Sequence, residues 1–158
     1  MHADLEFMVQ PSFSGAEISL KFIDEYSNYV WVYALPSKRA VLVQSIWEKL
    51  CKEISTQYGS RVKALHTDNG GEFINSLMSS YNSGQGIHHH RTAPYRHEMN
   101  GRAERMNRTG SDAVRVMITC ANLPATYWAE AYSYFAYIHN RIGRSNNDDI
   151  SPYEILHQ

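Results

Sequence analysis

A chain of 158 residues with 43% hydrophobic, 12% aromatic and 20% charged side chains has the size and composition of one domain with its own core, which excludes a disordered or low-complexity protein. Its formal net charge of −1 excludes the strongly basic balance of many nucleic-acid binders. The apolar runs are strand-sized, too short for a membrane span, and the N-terminus lacks the apolar core of a signal peptide.

The first third predicts three strands. Leu5, Phe7 and Val9 alternate with Asp4, Glu6 and Met8, and Ile18, Leu20 and Phe22 alternate with Glu17, Ser19 and Lys21, the pattern of a half-buried strand. Pro11 to Gly15 make the turn between them. After a second turn at Tyr26 to Asn28, Tyr29 to Leu35 form a continuous apolar run bounded by Pro36. Such short connections pair strands antiparallel.

The period then changes. Val43, Ile46, Trp47, Leu50 and Ile54 recur at spacings of three and four, one face of a helix ending near Gly59. A strand over Val62 to Thr67 runs into Asn69-Gly70-Gly71 and is followed by a helix from about Glu72 to Tyr81. A loop with Gly84 and Gly86 then leads to a weak strand at Ile87 to His90. Two long helices, roughly 100–121 and 124–142, meet at Leu123-Pro124, where a helix must restart, and Ser151-Pro152 opens a last short helix. The order implies an α/β fold: one five-stranded mixed sheet, three antiparallel strands and then strand–helix units, flanked by helices. Cys51 and Cys120 sit in helical patterns and are expected to be reduced thiols.

Three carboxylates stand where such a fold brings chain ends together: Asp4 in the first strand, Asp68 at the end of the fourth, and Glu104 in the first turn of the long helix after Asn100-Gly101. Magnesium takes hard oxygen ligands and keeps several waters, so a few carboxylates suffice to hold it. Two such ions about 3.5–4 Å apart can activate an attacking oxygen and stabilise a leaving one in phosphoryl displacement. On that reading Asp4 bridges both metals, and Asp68 and Glu104 hold one each. Taken singly each acid has a plainer reading, Asp68 as a turn former and Glu104 as a partner of the helix dipole.

Along the same helix Ala103, Met106, Gly110, Ala113, Met117 and Cys120 form an expected buried stripe. Glu104, Arg108, Ser111 and Arg115 form a parallel one. Between Arg91 and Arg115 stand Arg91, Arg96, Arg102, Arg105, Arg108 and Arg115 against Glu98, Glu104 and Asp112, so this is where the chain is expected to meet nucleic acid. Arginine suits phosphate because its planar fork donates two hydrogen bonds at once. His88, His89 and His90 alternate faces on a strand and cannot all bind one ion. Tyr127, Trp128, Tyr132, Tyr134 and Tyr137 are expected in the core first and at a subunit contact second.

With flanking residues included, the chain resembles the integrase catalytic core of copia-type (pseudoviral) long-terminal-repeat retrotransposons, in the DDE superfamily of retroviral integrases. The resemblance rests on His2-Ala3-Asp4, on Phe22-Ile23-Asp24-Glu25-Tyr26-Ser27, on Trp31-Val32-Tyr33 and on Asp68-Asn69-Gly70-Gly71-Glu72-Phe73. It continues through Asn100-Gly101-Arg102-Ala103-Glu104-Arg105-Met106-Asn107-Arg108-Thr109, Leu123-Pro124, Trp128-Ala129-Glu130-Ala131, Asn140-Arg141 and Ser151-Pro152-Tyr153-Glu154.

The resemblance implies an RNase H-like fold and a catalytic, metal-binding triad of Asp4, Asp68 and Glu104, with 35 residues between the last two. It implies two Mg2+ ions per site, with Mn2+ as substitute. The implied activity is 3′-end processing and strand transfer of retroelement ends into target DNA. It also implies assembly into a homodimer or higher oligomer on DNA. From the arginine-rich stretch, DNA contacts are expected from Arg96, His97, Arg102, Arg105, Asn107 and Arg108, with a host tethering factor as a further expected partner and no membrane. The implied location is the nucleus, after passage through cytoplasmic virus-like particles. The family's zinc-binding N-terminal region and C-terminal tail are absent, so 1–158 reads as a single excised core whose first strand is liable to fray.

Two departures stand out. A Gly-Pro pair usually follows the first acid; here Asp4 is followed by Leu5-Glu6-Phe7-Met8, and Glu6, on Asp4's face, is a rival ligand. Gly110 stands where the family commonly has an apolar residue such as leucine, although glycine inside a helix costs about 1 kcal/mol relative to alanine. A non-catalytic assembly or DNA-binding module and a transposase or nuclease of the same fold are the alternative readings.

Overall fold

The computed structural model describes residues 1–91, 101–142 and 150–157, with backbone alone for 101–103. Strands β1 (His2–Phe7), β2 (Ile18–Ile23) and β3 (Val30–Leu35) follow one another, with residues 8–17 and 24–29 connecting them. Helix α1 (Ala40–Tyr58) leads to β4 (Ala64–Thr67), and α2 (Ser76–Gln85) leads to β5 (His88–Arg91). Helices α3 (Gly101–Cys120), α4 (Trp128–Ile142) and α5 (Pro152–Leu156) close the chain. The five strands form one sheet in the order β3-β2-β1-β4-β5, with β1–β2 and β2–β3 antiparallel and β1–β4 and β4–β5 parallel. The first carboxylate of interest therefore sits on the central strand.

The two faces of the sheet are covered differently. Leu20, Phe22 and Leu65 pack against Val43, Trp47 and Leu50 of α1 and Met78 of α2. On the opposite face Val114 of α3 joins Trp128, Ala129, Tyr132 and Phe135 of α4, while Ile23 and Val30 meet Met106. Consequently β2 is buried along its whole length, Ser19 and Lys21 included, where alternation predicted a half-buried strand. A polar side of a strand reads as solvated from sequence whenever the elements that cover it come much later in the chain.

Two segments differ from the sequence reading in detail. The second helix begins at Ser76, because the Asn75 side chain accepts from the Met78 amide at 3.0 Å and caps it; residues 71–75 are a turn. Gly84 lies inside that helix and Gly86 ends it with φ of 69°, a left-handed conformation glycine adopts without penalty. In α3 the buried stripe centres on Gly110 and Val114, with Asn107 and Ser111 half-buried beside it, and Cys120 is exposed. Cys51 and Cys120 are free thiols, and burial pushes Cys51 up to about 12.

Gly110 is explained by close approach. A Cβ there would stand 3.0 Å from Tyr132 Cε1 and 3.3 Å from Phe135 Cε1, so α4 presses its aromatic rings directly on the α3 backbone. Of the aromatic residues expected in the core, Trp128 and Tyr132 are buried, whereas Tyr134 and Tyr137 are exposed. Asn140 secures the sheet's edge: its amide donates to Val30 O at 2.9 Å and accepts from Val30 N at 2.8 Å, occupying groups an edge strand leaves open. The start of β1 is tied down rather than frayed, since Met1 is buried and its backbone carbonyl accepts from His66 N at 2.8 Å. Among the described residues no helix is long and apolar enough to cross a membrane.

Candidate active site

Residues alternate along β1, so His2, Asp4 and Glu6 share one face, and it is the face covered by α3 and α4. Asp68 follows the last residue of β4, the parallel neighbour of β1. Its Oδ1 accepts from Gly70 N at 2.9 Å, a turn that needs the short Asn-Gly-Gly segment: a Cβ on Gly70 would lie 3.0 Å from that oxygen and 2.6 Å from Glu72 Oε1. Sequence and topology together thus set Asp4 on β1 and Asp68 just beyond the adjacent β4, near enough for the Asp68 charge to act on Asp4.

Asp4 carries the clearest electrostatic signature. Burial of the carboxyl is the main cause of a pKa raised to about 6, and the Asp68 charge adds to it. Three influences pull the other way and do not offset these: the Leu5 amide on Oδ1 at 2.9 Å, the positive charge of Lys21, and the Asn107 side-chain amide on Oδ2 at 2.6 Å. A carboxylate pair held together with too little positive charge is the donor set a hard divalent cation fits, because the cation cancels both the repulsion and the desolvation cost.

Glu104 stands in the first turn of α3, exposed, three residues before Asn107 and therefore its neighbour on the helix surface. The Asn107–Asp4 hydrogen bond docks this turn over β1. The structure brings Asp4 and Asp68 together and puts Glu104 on the adjoining helix turn. Among the described residues, no three histidine, cysteine, aspartate or glutamate side chains are grouped closely enough to hold a metal ion. Arg105 and Arg108 are exposed on the same helix; Asn107, expected among DNA contacts, gives its amide to Asp4. The Arg102 side chain, Arg96 and His97 lie outside the described residues, as do Pro94 and Tyr95 of the loop before Glu104.

Sequence reasoning missed what surrounds these acids. Glu6 is not a rival ligand, because both its oxygens are occupied: Oε1 accepts from Ser111 at 2.6 Å, and Oε2 accepts from Tyr132 at 2.6 Å and from the Lys21 ammonium. Burial alone would raise the Glu6 carboxyl, but these donors hold it below the usual carboxylate range. Opposite charges at Glu6 and Lys21, on consecutive strands, were the one available signal. A row of imidazoles also crosses the sheet beside the site, His2 stacking on His66 and His66 on His90, each with ring centroids 4.8 Å apart. His89 turns away to bond Thr67 Oγ1 at 2.9 Å, and burial lowers the pKa of both His66 and His89.

Known proteins match this chain at two levels. The integrase core domain family model matches residues 10–97, more than half of the chain; Asp68 falls within the match, and Asp4 and Glu104 flank it. The Retrovirus-related Pol polyprotein from transposon TNT 1-94 of Nicotiana tabacum is 38% identical over 130 residues, 82% of this chain and 10% of that relative. The corresponding polyproteins from transposons RE2 and RE1 of Arabidopsis thaliana are 34% and 32% identical over 135 residues, 85% of this chain and 9% of each relative. The chain therefore spans about a tenth of the length of these curated relatives.

Among solved structures, a chain of the simian T-cell lymphotropic virus intasome, in complex with PP2A regulatory subunit B56 gamma, superposes with a TM-score of 0.79. It is 16% identical, and the match covers 99% of this chain and 53% of that one. The HTLV-2 integrase catalytic core domain, solved in trimeric form with magnesium, superposes with a TM-score of 0.72. It is 17% identical, and the match covers 99% of this chain and 94% of that one. The fold is the RNase H-like fold of retroviral integrase cores.

Proposed function

The chain belongs to the integrase core domain family, in its copia-type retrotransposon branch, and from that premise we propose that it is a metal-dependent polynucleotidyl transferase that trims retroelement DNA 3′ ends and joins them to target DNA. The observation that carries this reading is Asp4: a half-buried carboxylate on the central strand, facing Asp68, with its pKa raised to about 6 by burial and by that neighbour. Such a group is destabilising unless a cation completes it.

Asp4, Asp68 and Glu104 would hold two Mg2+ ions, or Mn2+ in their place. When bound, these ions supply Lewis acidity that activates the attacking oxygen and stabilises the leaving one. The chain's own residues do the rest. Asp4 is set by β1 and Asp68 follows β4, and the Asn107–Asp4 hydrogen bond ties to β1 the first turn of α3, which carries Glu104. Arg105 and Arg108, exposed on that helix, direct planar donors at a phosphate backbone, which positions DNA without reading its sequence. Arg96, His97 and Arg102 complete the proposed DNA contacts, while Asn107 is engaged with Asp4. The unit works as a homodimer or higher oligomer on DNA, with a host tethering factor, in the nucleus after cytoplasmic virus-like particles. The exposed Tyr134 and Tyr137 and the apolar groove lined by Met117, Leu123 and Tyr127 support a subunit contact.

The test is reversal of DNA joining on a branched substrate with Mn2+, comparing wild type with Glu104→Gln. Metal-dependent resolution that Glu104→Gln abolishes is expected. Resolution that survives Glu104→Gln would overturn the triad assignment, and a folded wild type with no reaction in the presence of the flanking polyprotein regions would favour a non-catalytic assembly module.

A further inference from the structure

Lys21 is the one fully buried ammonium in the described core, with 0% exposure, and it lies directly across from Asp4 in the β1–β2 register. Residues opposite each other in an antiparallel pair project to the same face with Cβ atoms about 4.5–5.5 Å apart. On that face the ammonium has two anions within reach, Asp4 straight across and Glu6 on the diagonal. It is held on Glu6. Tyr132 of α4 fixes this choice, accepting from Lys21 at 3.2 Å, placing its ring centroid 4.3 Å from Nζ and donating to Glu6 at 2.6 Å. Ser111 of α3 holds Glu6 from its other oxygen at 2.6 Å. The Asp4 oxygens, by contrast, receive the Leu5 and Asn107 amides as their hydrogen bonds among the described residues.

We propose that Glu6 is a positioning residue that sequesters the Lys21 ammonium from Asp4, leaving Asp4 free to ligate divalent metal; the proposal rests on the metal-binding reading above. A buried ammonium has no water to fall back on, so without the Glu6 charge it must give up its proton or find another anion. Asp4 is the anion across the strand. An ammonium within hydrogen-bonding reach competes with metal for the same carboxylate oxygens. The absence of a Gly-Pro pair after Asp4 then has a physical counterpart, since the chain places there the acid that neutralises its own buried lysine.

The experiment is Mn2+ binding measured by calorimetry on the folded chain, for wild type, Glu6→Gln, Lys21→Met and the double variant. Glu6→Gln is expected to weaken binding by about tenfold or more, the scale on which a neighbouring charge competes for a carboxylate. Adding Lys21→Met is expected to return the affinity to within about twofold of wild type, as for a coupled pair removed together. Lys21→Met alone is expected to bind no more weakly than wild type. If Glu6→Gln does not fold, Tyr132→Phe takes its place, because it removes one donor from Glu6 without changing charge. Its expected loss is about twofold to fivefold, the scale of one hydrogen bond, reversed by Lys21→Met.

Weaker binding by Lys21→Met, undiminished binding by Glu6→Gln, or a double variant as weak as the single would overturn the proposal. Asp68→Asn separates the two readings. If wild type binds and Asp68→Asn does not while Glu6→Gln is unaffected, sequestration alone fails. If wild type and Asp68→Asn both fail to bind, the metal reading fails with it.

Discussion

Asp4 and Glu6 lie two residues apart on the same strand and face the same pair of helices, yet their surroundings push them in opposite directions. Glu6 receives a lysine, a serine and a tyrosine, and its carboxyl is held below the usual range despite burial. Asp4 receives two amides and faces another acid, and its pKa is raised to about 6. Glu6 is saturated by donors the fold provides, whereas Asp4 is left short of positive charge, the condition that the proposed metal-ligand role needs.

Breaking the saturated half should cost the most. Glu6→Leu removes the anion that holds the buried ammonium and leaves Asp4 across the strand to take it, at a cost of up to about 3–5 kcal/mol, and a melting temperature lowered by up to roughly 6–20 °C is expected. A melt within a degree or two of wild type would mean that Lys21 finds another partner at no cost. Gly110→Leu comes next. Its Cβ would meet the Tyr132 and Phe135 rings at 3.0 and 3.3 Å, and the overpacking should destabilise by about 1–3 kcal/mol despite the gain in helix propensity. Chemical denaturation checks it, and a leucine variant as stable as wild type would show that α4 is free to move away.

These two positions also mark how far the sequence could be read. Leu5, Phe7, Ile18, Leu20 and Phe22 announced their strands by alternation, and Val43, Trp47, Leu50 and Ile54 announced their helix by spacing, because each pattern is local. The triad candidates were legible through the residues around them, above all Asp68-Asn69-Gly70-Gly71 and Asn100-Gly101. Lys21 was not legible. It read as the outer side of a half-buried strand, and what buries it is Tyr132, more than a hundred residues later. Gly110 likewise looked like a helix defect until the rings of α4 were seen against it. The start of α2 reads too early from the sequence because the Asn75 cap depends on a side-chain bond to the Met78 amide that no spacing announces.

The smallest effect sharpens the unsaturated half. For Asp4 the folded pKa of about 6 lies above the unfolded value of 3.8, so its contribution to stability is full below about 3.8 and is lost as pH rises through 6. With chelator present, wild type should therefore lose stability relative to Asp4→Asn between about pH 4 and pH 6, and Asp4→Asn should be at least as stable as wild type at neutral pH. A difference that stays flat across this window, or one that favours wild type at high pH, would show that Asp4 is already satisfied within the fold.

The most direct test of the account is an NMR titration of the Asp4 side-chain carboxyl carbon in the wild-type chain, first with chelator and then with Mg2+. A midpoint near 6 without metal is expected, moving down by about one unit or more when Mg2+ is added. A midpoint at the ordinary carboxylate value, or one that Mg2+ leaves in place, would contradict the reading of Asp4 as a metal ligand held short of charge.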